Sequence, residues 1–331
     1  MDYFYPLTEA NTEIDVVPVE LVNVENLEKE IVEIGGFSEE FLTESINSWQ
    51  KGMKILVDRD ISLALMLNTS KTDPHQIIFN TEGLMNEFAT LKTFKDIESF
   101  SKKYGLLGIK HPDLNHLYSP HPVSQYTKKA SYIFHTYGFS VFEPIELWLW
   151  HIHEVQKILR LYDVIRNESS EEQIREIIEI KDPFEHDPSD IYFEKIQINK
   201  PFNVHWTTGE RIFMLPETMR KQSLLEIGQY TLSKILESRL KGGIQISVSD
   251  IVRNPLTKSF KVVESRYTQY LLAAIYYDLW QIINDDRNIY KCANKNCGLP
   301  FVKTRRKKYC SAACKQEAYR NRKKDEEGRD I

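Results

Sequence analysis

The chain has 331 residues, 41% of them hydrophobic and 27% charged, and a formal net charge of −5. That length predicts about two domains with a sizeable core, and the composition is ordinary for a globular protein. No apolar run approaches the roughly twenty residues that a bilayer span requires, and the richest, over 145–152, is interrupted by Glu146 and His151; no helical membrane span and no membrane partner are expected.

Residues 1–80 read as strand-leaning. The β-branched run 16–24 is broken by Pro18, which makes it an edge strand or an extended segment. Residues 37–50 have helical spacing through Phe41, Ile46 and Trp49. Short strands are expected over 54–57, 61–67 and 76–79, joined by Asp-Arg-Asp and Thr-Asp-Pro turns. A helix is expected over 81–103, where Leu84, Phe88, Leu91, Phe94, Ile97 and Phe100 recur at steps of three and four before Gly105 ends it.

A proline-punctuated loop follows, with His111, His116 and His121 at steps of five. A second metal site is the sharp reading of that spacing. A surface loop is preferred, because no helical i, i+4 pair or carboxylate–histidine motif makes the rings converge. The strongest helix of the body covers 143–167, with Leu147, Trp150, Glu154, Ile158, Leu161 and Ile165 on one face. His151 and His153 lie about 200° apart around it and cannot share a metal from one face.

Ser170-Glu171-Glu172-Gln173 resembles a capping box for a further helix carrying Ile174, Ile177 and Ile178. The acidic, proline-containing stretch 182–190 is the best internal linker. Strands are expected over 191–198 and 211–215, with Gly209 in the turn region between them. A helix over 217–240 should end at Gly242-Gly243, and 244–248 alternates as a strand. The last body helix is expected over 264–284, carrying Tyr267, Tyr270, Leu271 and Trp280, with a hinge over 285–288. The body shows no phosphate-binding glycine loop, no nucleophile elbow and no zinc-hydrolase motif, which argues against an enzyme.

All four cysteines lie at the C-terminus, as Cys292/Cys297 and Cys310/Cys314, twelve residues apart. Two close pairs on a returning spacer are the pattern of a tetrahedral zinc ion. Paired disulfides would suit a secreted mini-domain, but residues 1–10 carry no signal-peptide pattern, so a reducing cytoplasm is expected. Neither pair has the two-residue gap of a redox motif. Four thiolates fill the tetrahedron and leave no position for water, so the single zinc is read as structural, its binding energy serving as folding energy.

Between Arg287 and Lys324 there are 13 basic residues and one acid, Glu317, a balance of +12. Residues 1–286 hold 29 basic and 43 acidic side chains, a balance of −14. A compact basic module on an acidic body is the footprint of polyanion binding. Candidate nucleic-acid contacts are Lys303, Arg305, Arg306, Lys307 and Lys308 on the spacer. Lys315, Tyr319, Arg320, Arg322, Lys323 and Lys324 are candidates on the final helix, and Tyr309 can stack or pack on the metal site. A merely solvated face would show the same charge run.

The run CANKNCGLPF…KKYCSAAC, followed by a basic helix, resembles the CGNR-type zinc finger of bacterial proteins, best at the first cysteine pair with Gly298 and Phe301 behind it. In that family the finger closes a longer amino-terminal region, ABATE, and the whole is regarded as a stress-induced transcription regulator. The resemblance implies a zinc ion on the four cysteines, DNA as partner and a sensing role for the body. After Cys314 this chain reads Lys315-Gln316-Glu317 where the family has Gly-Asn-Arg, so the role of that element does not carry over.

The expected architecture is thus an α+β, helix-rich body over 1–286, divided into subdomains near 140, and a four-cysteine zinc finger with a basic helix over 287–331. The expected function is nucleic-acid binding, DNA before RNA, in transcription regulation, with a small molecule or protein as effector of the body. The alternatives are a protein-docking zinc module and an enzyme acting on nucleic acid and tethered by the finger.

Overall fold

The computed structural model describes residues 10–16, 18–23, 63–67, 75–109, 137–138, 142–167, 170–181, 201–253, 260–268, 270–285, 289–302 and 307–327. The expected elements over 37–50, 54–57, 182–190 and 191–198, the loop with His111, His116 and His121, and Lys303, Arg305 and Arg306 lie outside them. The described residues form a mixed helix and strand structure, consistent with an α+β fold. None of their helices is long and apolar enough to cross a membrane.

Pro18 separates β1 (Ala10–Val16) from β2 (Val19–Asn23), and the two strands enter different sheets. β2 is the edge of a three-stranded sheet with β3 (Leu63–Leu67) and β5 (Phe142–Pro144). β1 instead lies inside a four-stranded sheet, antiparallel to β4 (His75–Asn80) and parallel to β10 (Phe260–Thr268), which pairs in turn with β9 (Gln245–Arg253). β6 (Ile178–Lys181), β7 (Phe202–Trp206) and β8 (Arg211–Leu215) form a third sheet. Gly209, at φ 101°, turns the chain between β7 and β8, a conformation that favours glycine.

Two helices predicted as continuous are each divided by a capping box. The first becomes α1 (Leu84–Ala89) and α2 (Phe94–Tyr104). The Thr93 hydroxyl accepts from the Asp96 N–H at 3.1 Å, and the Asp96 carboxylate accepts from the Thr93 N–H at 2.9 Å. These bonds satisfy the free N–H groups of a new helix start, and Phe94, expected on the apolar stripe, is 47% exposed. Likewise 217–240 resolves into a 3-10 turn (Glu217–Lys221) and α5 (Leu224–Leu240), capped by Ser223 and Glu226.

The long helix α3 (Ile145–Arg166) forms as expected, with His151 buried and His153 exposed. α4 (Glu171–Arg175) is shorter than expected: Ser170 stands at its N-cap without a side-chain cap bond, and Ile178 starts β6. The predicted helix over 264–284 is corrected most. Residues up to Thr268 belong to β10, paired with β9 through Tyr267 and with β1 over Arg266–Thr268, and only α6 (Leu271–Asn284) is helical. Ladder pairing with β1 and β9 outweighs the local helical periodicity.

α6 is buried along most of its length and is the centre of the helical layer, against α1 and α5. Its Asp278 accepts from the Met85 N–H at 2.9 Å, supplying α1 with the acceptor its N-cap Gly83 lacks. α3 packs on α1, α5 and β12 (Pro300–Val302). Through β12 the C-terminal residues Ile289, Cys292, Leu299, Phe301, Cys310 and Cys314 join the hydrophobic core of the body.

Candidate metal centre

The C-terminal segment begins with β11 (Ile289–Lys291), antiparallel to β12. Between them the chain makes a tight knuckle. The Cys297 N–H donates to the Asn294 carbonyl at 2.9 Å, and Gly298 takes φ 57° to release the chain toward Leu299. The Cys292 N–H donates to the Leu299 carbonyl at 3.0 Å, closing the loop so that Cys292 and Cys297 face the same space. The returning strand is pinned by Ala293 N–H to the Lys308 carbonyl at 3.0 Å, and the Cys310 N–H points at the Cys292 sulfur at 3.4 Å. Helix α7 (Ala312–Glu327) then starts, with the Ser311 hydroxyl accepting from the Cys314 N–H at 3.2 Å, which fixes the fourth thiol in the first turn.

The four sulfurs all lie within 4.8 Å of one another. Cys310 and Cys314 are separated by 3.4 Å and Cys297 and Cys310 by 3.6 Å, and all four cysteines are free of disulfides. Tetrahedral bonds of about 2.3 Å place sulfurs about 3.8 Å apart. The cluster therefore fits a four-coordinate metal ion, with Cys292, Cys310 and Cys314 buried and Cys297 partly exposed. Burial pushes the Cys310 thiol well up, as do the neighbouring thiols. Burial also acts upward on Cys314, but hydrogen bonding by Ser311 and the adjacent thiols, together with the charge of Lys92, outweighs it and brings Cys314 to about 7.

Lys92 comes from the body, in the turn that the Thr93 cap creates between α1 and α2. Its Nζ lies 3.7 Å from the Cys314 sulfur and 3.8 Å from Glu317 Oε2. Burial opposes its charge, but Cys314, Cys297 and Glu317 together raise its pKa above the ordinary lysine value. A tetrathiolate centre with a divalent ion carries a formal charge of about −2, so a cation against it lowers the cost of enclosing it. Asn86 of α1 adds a second link, accepting from the Val302 N–H at 3.2 Å, and Lys291 reaches Asp163 of α3 at 3.5 Å.

Glu317 is held at the knuckle: Asn294 Nδ2 donates to it at 2.9 Å and Asn296 Nδ2 at 3.3 Å. These hydrogen bonds, Asn296 first, keep its carboxyl below the usual range. The one acid within the basic segment is therefore engaged inside the module. Of the candidate contact residues, Lys315, Tyr319, Arg320 and Arg322 lie exposed on α7, and Tyr319 is 64% accessible. Lys307 and Lys308 are exposed on the approach to Cys310, and Lys307 sits 5.7 Å from the Phe301 ring centroid. Lys323 and Lys324 continue α7 in its backbone, their side chains lying outside the described residues.

Sequence reasoning missed Lys92, Asn86 and the Asn294–Asn296–Glu317 network. The Thr-x-x-Asp pattern at Thr93 was the available signal that a turn, and so an exposed lysine, falls at residue 92. Comparison with protein-family models, curated proteins and solved structures finds no match to this chain.

Proposed function

We propose that this is a nucleic-acid-binding protein whose C-terminal module is a zinc finger held by Cys292, Cys297, Cys310 and Cys314. Zinc is the ion of choice because four thiolates in tetrahedral array suit it and leave it structural rather than catalytic. The observation that carries the reading is charge segregation. Residues 287–324 balance at +12, and 287–331 at +9 once Asp325, Glu326, Glu327, Arg329 and Asp330 are counted, beside a body at −14; the one acid within 287–324 is bound to Asn294, Asn296 and Lys92. Among the described side chains, Lys315, Tyr319, Arg320 and Arg322 lie outward on α7, which pairs phosphate-binding cations with an aromatic ring.

Regulation of transcription, with DNA as target and the body sensing a small molecule or a protein, is the form this activity takes in the family that the cysteine segment resembles, and we carry it over as part of the proposal. The test is metal content together with nucleic-acid binding over a salt series, on the full chain and on a full-length Lys315→Gln, Arg320→Gln, Arg322→Gln triple variant. One zinc per chain is expected. The log–log salt slope on duplex DNA should become shallower by about 0.9 for each phosphate that the variant no longer neutralises. Equal, weak binding by both proteins would sink the reading and move protein docking to the front; turnover of a nucleic-acid substrate would favour a tethered enzyme.

A further inference from the structure

Against the knuckle that carries Cys292 and Cys297 lies a solvent-connected cavity of about 400 Å³. Its walls are the knuckle itself, with Lys295 and Asn296, then Tyr309 on the segment leading to Cys310, and Asn321 and Arg322 on α7. The volume falls in the range of about 300–1,000 Å³ in which small-molecule groups are enclosed. Arg322 is a phosphate-contact candidate from its charge alone, and nothing in the spacing of these residues along the chain announces a pocket.

The walls specify the chemistry of the occupant. Tyr309 is half-buried and offers a ring face in the lining, whereas Tyr319 stands in solvent. Carboxamides such as Asn321 present donor and acceptor together, matching the mixed edge of a nucleobase rather than the acceptor-only surface of a phosphate. The lining cations Lys295 and Arg322 lie exposed, with Arg322 Nε donating to the Ala318 carbonyl at 3.3 Å, which directs its side chain back along the helix. Asn294 closes the floor at 1% exposure, its carboxamide committed to Glu317 and to the Asn296 N–H. The knuckle wall is thereby fixed by the same hydrogen bonds that occupy the module's acid.

A concave site receives a projecting group, whereas duplex readout requires a protein element to project into a groove. We infer that the cavity captures a single unpaired nucleotide of a nucleic-acid strand, its base against Tyr309 and Asn321 and its flanking phosphates on Lys295 and Arg322. This rests on the nucleic-acid reading above and specifies it: the module takes a strand with an unstacked base rather than an intact duplex.

The experiment uses the full-length, zinc-loaded protein and three labelled probes of one sequence: single-stranded DNA, single-stranded RNA and duplex DNA. Both single strands are expected to bind more tightly than the duplex, and the tighter of the two identifies the sugar. Tyr309→Ala should weaken single-strand binding about ten-fold, the loss of one base–aromatic stack, and more than it weakens duplex binding, while Tyr309→Phe retains affinity. Asn321→Ala provides the same comparison at a position away from the cysteines if Tyr309→Ala loses zinc. Arg320→Gln, outside the cavity, should weaken all three probes alike. Equal affinity for strands and duplex, indifferent to Tyr309→Ala and Asn321→Ala, overturns the cavity assignment and leaves the basic-module reading standing. Absence of binding to every probe overturns both.

Discussion

The Lys92 ammonium of the body lies 3.7 Å from the Cys314 sulfur of the C-terminal module, across 222 residues of sequence. It also reaches Glu317, so one side chain meets both the four-cysteine cluster and the Asn294–Asn296–Glu317 network beside the cavity. Lys92→Met should therefore accelerate loss of metal to a chelator and reduce stability by about 0.5–1 kcal/mol, a small value because the side chain is half-exposed and screened. Lys92→Arg should preserve both. Chelation kinetics with a chromophoric indicator distinguish this from a general loss of fold, since a purely structural lesion would move the melting temperature without changing metal release at low temperature.

Metal removal should reach beyond the module. Phe301 is 1% exposed and Cys314 fully buried, within a core continuous with α3. Because metal-binding energy acts as folding energy, stripping the ion or substituting Cys310→Ser should lower the thermal midpoint of the body as well. Near-ultraviolet circular dichroism, which reports the tryptophans of α3 and α6, should change on chelation. An unchanged spectrum and midpoint would show that the two regions are energetically independent.

A buried ion pair holds α3 to α5: Arg239 Nη2 donates to Glu154 Oε1 at 2.9 Å, both side chains almost wholly enclosed. Glu154 also accepts from Trp206 Nε1 at 3.2 Å, and the Arg239 guanidinium lies 5.5 Å from the Trp150 ring centroid. Arg239→Met alone should cost less than the roughly 3–5 kcal/mol of a fully stranded buried charge, because Lys157, 3.6 Å from Glu154 Oε2, remains as a second cation. Arg239→Met with Glu154→Gln should cost less than the single change, which denaturant titration of the three proteins can read.

His151 is fully buried, and burial first and then the charge of Arg239 hold its pKa well below the ordinary value of 6.5. The folded state keeps it neutral while the unfolded chain binds a proton, so its contribution is present above pH 6.5 and is lost as the pH falls. The slope is at most about 1.4 kcal/mol per pH unit for one proton. His205 is depressed in the same direction, chiefly by burial. His151→Gln should therefore flatten, without abolishing, the fall in unfolding free energy between pH 6.5 and 5. A profile as steep as that of the unsubstituted protein would contradict the assignment.

The legible parts of the chain were those whose signal is local. The α3 stripe, the strands at 63–67 and 211–215 and the convergence of four cysteines follow from periodicity and spacing within a few turns. Capping boxes are also local signals, but the longer apolar periodicity running through them masks them, so that α1 and α2, and the turn before α5, have the pattern of unbroken helix. β10 was not legible at all, since its residues carry helical spacing and become a strand only through β1 and β9. The same holds for the site: ligand identity is written in the cysteine spacing, but Lys92 and the cavity depend on which distant segments the fold brings together.

The placement of β1 has a consequence for synthesis on the ribosome. Ala10 to Thr12 pair in parallel with Arg266 to Thr268, while the other edge of β1 pairs with β4. At roughly 5–20 residues per second, the β1–β4 pair can be complete some ten to forty seconds before β10 is made. Throughout that interval one edge of β1 has no ladder partner, and the backbone groups along it remain available to other strands. A nascent chain halted short of residue 268 would thus expose an adhesive edge that the finished protein hides, making translation pauses in the second half of the message a source of aggregation.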